Sequence, residues 1–358
     1  MADVKKILSG MTVDEKIGQL MQYNANLFCD STAEITGLWF CNAKSEESVS
    51  VKEGISALLP DAEIIVASGC KGLIGEEDRS GFEEAIKAAR DADAVILCLG
   101  EMQSYSAEGN SRTDLRLPGL QEELAAEVVK HNSKVAAVTF SGRPLALTVL
   151  SESVPAILHT WFLGTEGGNA IANLLFGKAN PCGKLSMSFP RAVGQCPVYY
   201  NHTNTGRPKP QEYDDQFVGF TSGYIDCPNL PLYSFGYGLS YSDFVYEDLA
   251  LSKDDMTKDE EIKVSITIYN NSDVPGKETV LLFMRDMVAS NARPVQQLIG
   301  FEKVRFGAYE RKTVEFTIKE PMLRFWNNEH RHVSEPGEFR VWTGYADHPV
   351  HVKSFKLK

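Results

Sequence analysis

Two periods divide the chain. From about Leu38 to Pro190, short apolar runs alternate with stretches in which apolar residues return every three or four positions; from Phe244 onward they return every second position. The first pattern predicts βαβ units around a mostly parallel sheet, because each parallel pairing needs a crossover and a helix supplies it. AEIIVAS reads as a strand, GFEEAIKAARDAD as a helix with Phe82, Ala85, Ile86 and Ala89 on one face, and AVILCLG as the next strand. GLQEELAAEVVKHN predicts a helix burying Leu120, Leu124, Val128 and Val129, and KVAAVTF, VPAILHTW and EGGNAIANLLFG add strand, strand and helix. The product is a doubly wound α/β sandwich with helices on both faces.

In the second pattern IKVSITIYN alternates Ile262, Val264, Ile266 and Ile268, and TVEFTIK alternates Val314, Phe316 and Ile318, with EFRVWTGY and HVKSFKL behind them. Short alternating strands separated by turns predict a β-sandwich of about 100 residues. Residues 196–243 are rich in Pro, Gly, Asn and Tyr without a period, and read as an ordered linker or functional loop. At the other end MTVDEKIGQLMQ opens on Thr12-x-x-Glu15, a capping-box pattern, and continues with Ile17, Leu20 and Met21 at helical spacing, which predicts a short amphipathic helix. The expected organisation is therefore 1–37, a short helical segment; 38–195, the α/β sandwich; 196–243, the linker; and 244–358, the β-sandwich.

Composition narrows the partners. Acids outnumber bases 48 to 36, giving a formal charge of −12, and no basic stripe appears, which argues against nucleic acid and anionic membrane. The N-terminal residues lack an apolar core followed by a small-residue cleavage site, and no apolar run reaches spanning length, so a cytoplasmic location is expected. Seven cysteines, an odd number without a C-x-x-C pair, suggest neither a disulfide framework nor a zinc site, and Cys98 reads as a small buried apolar residue.

Candidate chemistry gathers in LCLGEMQSYSAEGNSRTDLRLP, where a strand ends and acids appear in a loop without periodicity. Loops at the carboxyl ends of strands in open α/β sheets are where ligands sit. Glu108 reads either as a proton donor of the kind glycoside cleavage needs, or as a solvated loop acid or partner of Arg112. Glu101 reads as an orienter of the loop, or alternatively as the acid. In HTWFLGTEGGNA, Gly167 and Gly168 have neither a G-x-G-x-x-G frame nor a Walker lysine, and predict a tight strand-to-helix turn. Pro144 in SGRPLAL predicts a helix start.

Taken together, MTVDEKIGQLMQ, SGCKG, AEGNSRTDLRLPGLQEEL, FSGRPLAL, WFLGTEGGNAIANLLFGKANPCGKLSMSFP, LYSFGYGLSYSDFVY and RPVQQLIGFEKVRFGAYERKTVEFTI resemble the family-three glycoside hydrolases, the β-glucosidase and β-xylosidase group. The motifs are specific and span nearly all of Leu38 to Lys358 in order. The resemblance implies three parts: a (β/α)8 barrel, an α/β sandwich and a fibronectin type III-like sandwich, with retaining hydrolysis shared between the first two. It implies that Glu108 is the general acid/base, with Glu101 and Arg112 binding substrate or orienting the loop. The family's nucleophile is an aspartate of the barrel, and a barrel takes about 250 residues, so residues 1–37 are expected to be a remnant of its beginning and these 358 residues are expected to hold no nucleophile. Tyr241 to Phe244, YSDF, and Lys130-His131 mimic barrel motifs but fall at a strand start and a helix end.

Retaining chemistry needs a second carboxyl about 5 to 5.5 Å from the first. The expected function is hydrolysis of terminal β-D-glycosides by resemblance, with the chain alone inactive or nearly so; the alternative is a non-catalytic carbohydrate-binding or structural fragment, and a nucleotide-binding α/β protein has only the fold class behind it. The implied partner is a β-glucoside or oligosaccharide, with no metal and no organic cofactor. An apolar barrel-facing surface left bare implies self-association.

Overall fold

The computed structural model describes residues 20–23, 33–37 and 47–358. Thr12, Glu15, Ile17, Cys29, Cys41 and the junction at Leu38 lie outside the described residues. The chain forms two compact units, one of Met1–Ala179 with Pro190–Gly194 and one of Asn180–Phe189 with Gln195–Lys358.

The first unit is built on five parallel strands, β1 (Leu20–Tyr23), β2 (Ile64–Ala67), β3 (Ala94–Gly100), β4 (Val135–Phe140) and β5 (Ala156–His159), in the order β2-β1-β3-β4-β5. Among the described residues six helices accompany them: α1 (Ala33–Thr36), α2 (Val51–Leu58), α3 (Phe82–Asp91), α4 (Gln121–His131), α5 (Thr148–Ser153) and α6 (Gly167–Leu175). Period two in β3 and β4 sends Ile96, Cys98, Val138 and Phe140 to the face where Ile35, Val51, Ile55, Ile171 and Leu175 pack. On the opposite face α3 and α4 pack together through a surface that buries Phe82, Ala85, Ala89, Leu124, Ala125 and Val128. Ile86, Leu120 and Val129, predicted for this surface, are half-buried at its rim. Each fully buried Ile, Leu or Phe contributes on the order of 1.5–3 kcal/mol.

Three expectations are corrected. The helix predicted through Leu20 and Met21 gives way to β1, which pairs in parallel with β2 on one side and β3 on the other. Two unpaired strand edges satisfied by a single four-residue segment outweigh a helical period too short to stand alone. Pro144 does not start a helix, since α5 begins at Thr148 and the residues before it are tied to another segment, with Ala146 N donating to Leu115 O (2.8 Å) and Leu145 and Leu147 buried. Gly167 closes a turn, its N donating to Gly164 O at 3.0 Å, but seven residues separate β5 from α6, so this turn leads into the helix and does not join it directly to the strand. The role of Gly168 is close approach: a Cβ on Gly168 would lie 2.0 Å from Ser50 O, and one on Gly54 of α2 would lie 2.3 Å from Gly168 O. There α2 and α6 touch backbone to backbone, and α2 is fixed at its start by a capping box between Ser50 and Glu53.

The second unit stacks two sheets. One is ordered β10 (Gln297–Phe306), β9 (Gly276–Asp286), β14 (Gly337–Tyr345), β15 (His348–Leu357) and β7 (Asp255–Met256); the other is β11 (Arg311–Lys319), β8 (Glu261–Asn270) and β6 (Phe244–Leu251), while β12 (Phe325–Trp326) and β13 (His332–Val333) form a separate hairpin. Ile262, Val264, Ile266 and Ile268 of β8 are each 0% exposed and meet Val280, Leu282, Met284, Val341 and Phe355 from the facing sheet. The outer face of β9 and β14 is covered too. Tyr200 and Phe235, stacked at 4.3 Å, lie over Leu281, Phe283 and Trp342, so the Pro- and Tyr-rich segment is ordered as a cover. A doubly wound parallel α/β sandwich followed by a β-sandwich is the fold class read from the two periods.

Candidate functional site

β3 ends against backbone. Gly100 has φ of 153°, and a Cβ there would lie 2.1 Å from Phe140 O, so only glycine lets β3 pass β4 at this level. Gln121, fully buried at the start of α4, reads this strand end with both ends of its amide: Oε1 accepts from Gly100 N at 2.7 Å, and Nε2 donates to Gly100 O at 2.8 Å and Pro118 O at 2.9 Å. The next residue, Glu101, therefore leaves the sheet in a fixed direction.

Glu101 is 0% exposed, and its carboxylate is divided between two arginines. Arg112 Nη1 donates to Oε1 at 2.5 Å, Arg143 Nε donates to Oε2 at 3.2 Å, and Ser106 Oγ donates to Oε2 at 3.0 Å. Both guanidiniums also hold backbone, Arg112 Nη2 at Arg116 O (2.9 Å) and Arg143 Nη2 at Tyr105 O. Burying a carboxylate is tolerated when its oxygens are paired and hydrogen-bonded, and removing one partner of such a pair costs about 3–5 kcal/mol. The network thereby ties the carboxyl ends of β3 and β4 to both legs of the 102–112 loop.

Glu108 sits at the apex of that loop. Asn110 closes the turn, its N donating to Ala107 O at 3.0 Å and its Nδ2 to Ser104 O at 2.7 Å. Gly109 takes φ of 75° with open space about it. Glu108 is exposed, and among the described residues it takes no hydrogen-bond or ion-pair partner. The third acid of the segment, Asp114, is held down to about 2 by its hydrogen bonds from Arg116, which donates Nη2 to Oδ2 at 2.6 Å. Of three acids in the loop, one is buried and doubly paired, one is neutralised at the surface, and one is free at the tip. The arrangement can present a carboxyl group to a ligand from a rigid base.

Of the residues singled out in the sequence, Glu101 and Arg112 are brought together and Glu108 stands apart from them. Arg143, in the SGRPLAL segment whose Pro144 predicts a helix start, is the second cation on Glu101. Its signal was position, since it follows β4 at the level where Glu101 follows β3. Glu122 in the first turn of α4 was also passed over; burial pushes its carboxyl up, and its Oε1 is sealed from water without a partner among the described residues. The two look-alikes are structural. Ser242 Oγ donates to Val274 O (2.7 Å) and accepts from Asn180 Nδ2 (2.7 Å) just before β6, and Lys130 closes α4 in an ion pair with Glu127. The amide of Gly168 is taken by Val49 O at 3.0 Å, which removes it as an anion donor. Among the described residues no group of three His, Cys, Asp or Glu side chains could hold a metal, and no helix is long and apolar enough to cross a membrane.

Comparison with known proteins agrees with this picture. The profile of the glycosyl hydrolase family 3 C-terminal domain matches residues 15–241, and that of the fibronectin type III-like domain matches residues 278–346. The chain is 40% identical over 347 residues to a periplasmic beta-glucosidase of Salmonella typhimurium, covering 92% of this chain and 45% of the relative. It is 37% identical to a beta-xylosidase of Formosa agariphila, covering 86% of this chain and 41% of the relative. The structure of a beta-glucosidase from Listeria innocua in complex with isofagomine superposes with a TM-score of 0.87 at 36% identity, over 95% of this chain and 46% of that one. The chain thus spans less than half the length of these relatives.

Proposed function

The chain belongs to glycosyl hydrolase family 3, and from that premise we propose that it carries the proton-donating half of a retaining β-glycosidase site, with Glu108 as general acid/base. The observation that carries this reading is the contrast within one loop: Glu101, Arg112 and Arg143 form a buried clamp, and Glu108 stands exposed and unpartnered above it. A retaining donor must approach the glycosidic oxygen and later activate water, so it needs a fixed base and a free head. Glu101, with both oxygens taken by arginines, is suited to positioning and unsuited to moving protons. The substrate class is a terminal β-D-glucoside or β-D-xyloside, in line with the activities named for the relatives.

That these 358 residues span less than half of the relatives supports a reading in which the nucleophile lies in the part not covered, and on it the chain alone is expected to turn over an aryl β-glucoside at the level of a blank. The role of Glu108 is tested in a fusion that joins the barrel of the Listeria innocua relative to this chain. Glu108→Gln is expected to lower kcat about 10²- to 10⁴-fold on a glucoside with a poor leaving group, and far less on a dinitrophenyl glucoside, whose oxygen leaves without a proton. Turnover that survives Glu108→Gln on the poor substrate but fails in Glu122→Gln would move the role to α4.

A further inference from the structure

Away from the Glu108 loop, the second unit holds a cavity of about 790 Å³ between the outer face of β9 and β14 and the 196–243 segment. We propose that this cavity binds the acidic residue of an anionic oligosaccharide, a hexuronate whose carboxylate sits between Arg285 and Arg340.

Arg285 and Arg340 are directly opposite in the β9–β14 ladder, one step beyond the Phe283–Trp342 pair. Period two puts all four on the outer face. Like charges directly across a sheet destabilise it, so an arginine pair whose one acidic neighbour is the exposed Glu338, on Arg340 alone, leaves room for a further anion. Arg340 reaches Glu338 only at 3.5 Å and at an exposed position, and Arg285 has neither an ion pair nor a hydrogen bond among the described residues. The cavity's two carboxylates are held by neutral donors and pair with neither arginine. Asp214 accepts from Asn229 N and Leu230 N, both at 2.8 Å, and Asp347 accepts from Ser234 Oγ at 3.0 Å and Gln296 Nε2 at 2.7 Å. Lys209 adds a third cation, held by the carbonyl oxygens of Asp214 (3.2 Å) and Tyr224 (3.5 Å) and by no carboxylate. The cavity lining thus carries three cations, Lys209, Arg285 and Arg340, against two carboxylates, Asp214 and Asp347, whose oxygens are turned to their own hydrogen-bond donors.

Shape selects the rest of the ligand. Guanidinium forks match a carboxylate in two parallel hydrogen bonds. The volume suits a molecule of drug-like size more than a bare ion. Tyr199, 62% exposed at the wall, offers an aromatic face to a sugar ring. The saccharide half of the inference rests on the family-3 reading; the anion half rests on Arg285 and Arg340 alone.

The test is a calorimetric titration of the full chain with three probes: a glucuronate-bearing xylo-oligosaccharide, the neutral xylo-oligosaccharide of the same length, and inorganic phosphate. The acidic sugar is expected to bind at least ten-fold more tightly than either of the others. Arg285→Gln and Arg340→Gln are each expected to weaken it about ten-fold or more with the melting profile preserved, since a hydrogen bond to a charged group is lost. Equal binding of the neutral sugar, or acidic-sugar binding unchanged in both variants, overturns the proposal, and phosphate binding as tight as the acidic sugar reduces the cavity to a bare anion site and overturns the saccharide. No hydrolysis is read in this titration, so its failure and the failure of Glu108 in the fusion assay are separate results.

Discussion

Glu101 and Glu108 stand seven residues apart in one loop and answer to opposite rules. Glu101 compensates two guanidiniums in a site closed to water, so Glu101→Ala leaves both arginines without a counter-charge and is expected to cost about 3–5 kcal/mol. Glu108→Gln removes a surface charge that nothing holds, and its stability change should fall within about 0.5 kcal/mol. Thermal melts of the two variants give the ordering, and a larger loss for Glu108→Gln would contradict the clamp. A third residue sets a pH dependence. Burial pushes the His159 imidazole down to about 4 from an ordinary 6.5, with Thr139 Oγ1 2.9 Å from Nδ1 and Trp161 packed edge-on. The unfolded chain takes this proton near pH 6.5 and the folded one refuses it until about pH 4. The contribution of this one group is therefore fully present above pH 6.5 and is lost as pH falls toward 4, by about 3 kcal/mol. In His159→Gln the difference between melts at pH 7 and pH 4.5 should shrink; an unchanged difference would assign the acid sensitivity to other groups.

Glycines decide how closely elements approach. At the α2–α6 crossing Gly54 and Gly168 let one helix backbone rest on the other, so Gly168→Ala must push the helices apart and is expected to cost at least about 2 kcal/mol. Gly194 has open space and an ordinary backbone, and Gly194→Ala should be neutral or slightly stabilising through the unfolded chain. Denaturant midpoints compare the two, and equal shifts would mean the crossing relaxes freely. In the second unit β8 is the opposite case: four β-branched residues with 0% exposure are held by the period of the strand, and no close approach is involved.

On the scale of the whole molecule, the first unit keeps large apolar side chains at its surface, with Ile74 60% exposed and Leu73, Val149 and Leu163 exposed as well. Apolar surface of this kind favours association despite a net charge of −12. Sedimentation velocity over rising concentration is expected to show reversible self-association that Ile74→Lys weakens; a strictly monomeric profile at high concentration would count against it.

Period and composition determined the fold class, since the face a residue occupies in a strand or helix follows from local geometry: the odd and even positions of β3, β4 and β8 fall where the pattern puts them. The loop motif and its neighbours likewise mark Glu101, Glu108 and Arg112 in the sequence itself. What spacing alone left open was which acid is buried, and that depended on Arg143, 42 residues from Glu101 in the chain and beside it only because β4 lies next to β3. Tertiary structure also decided that Leu20–Tyr23 is a strand, that Gly168 serves a crossing and not a turn, and that Arg285 faces Arg340. These are long-range contacts, in which backbone groups and charges are satisfied by partners that no local period encodes.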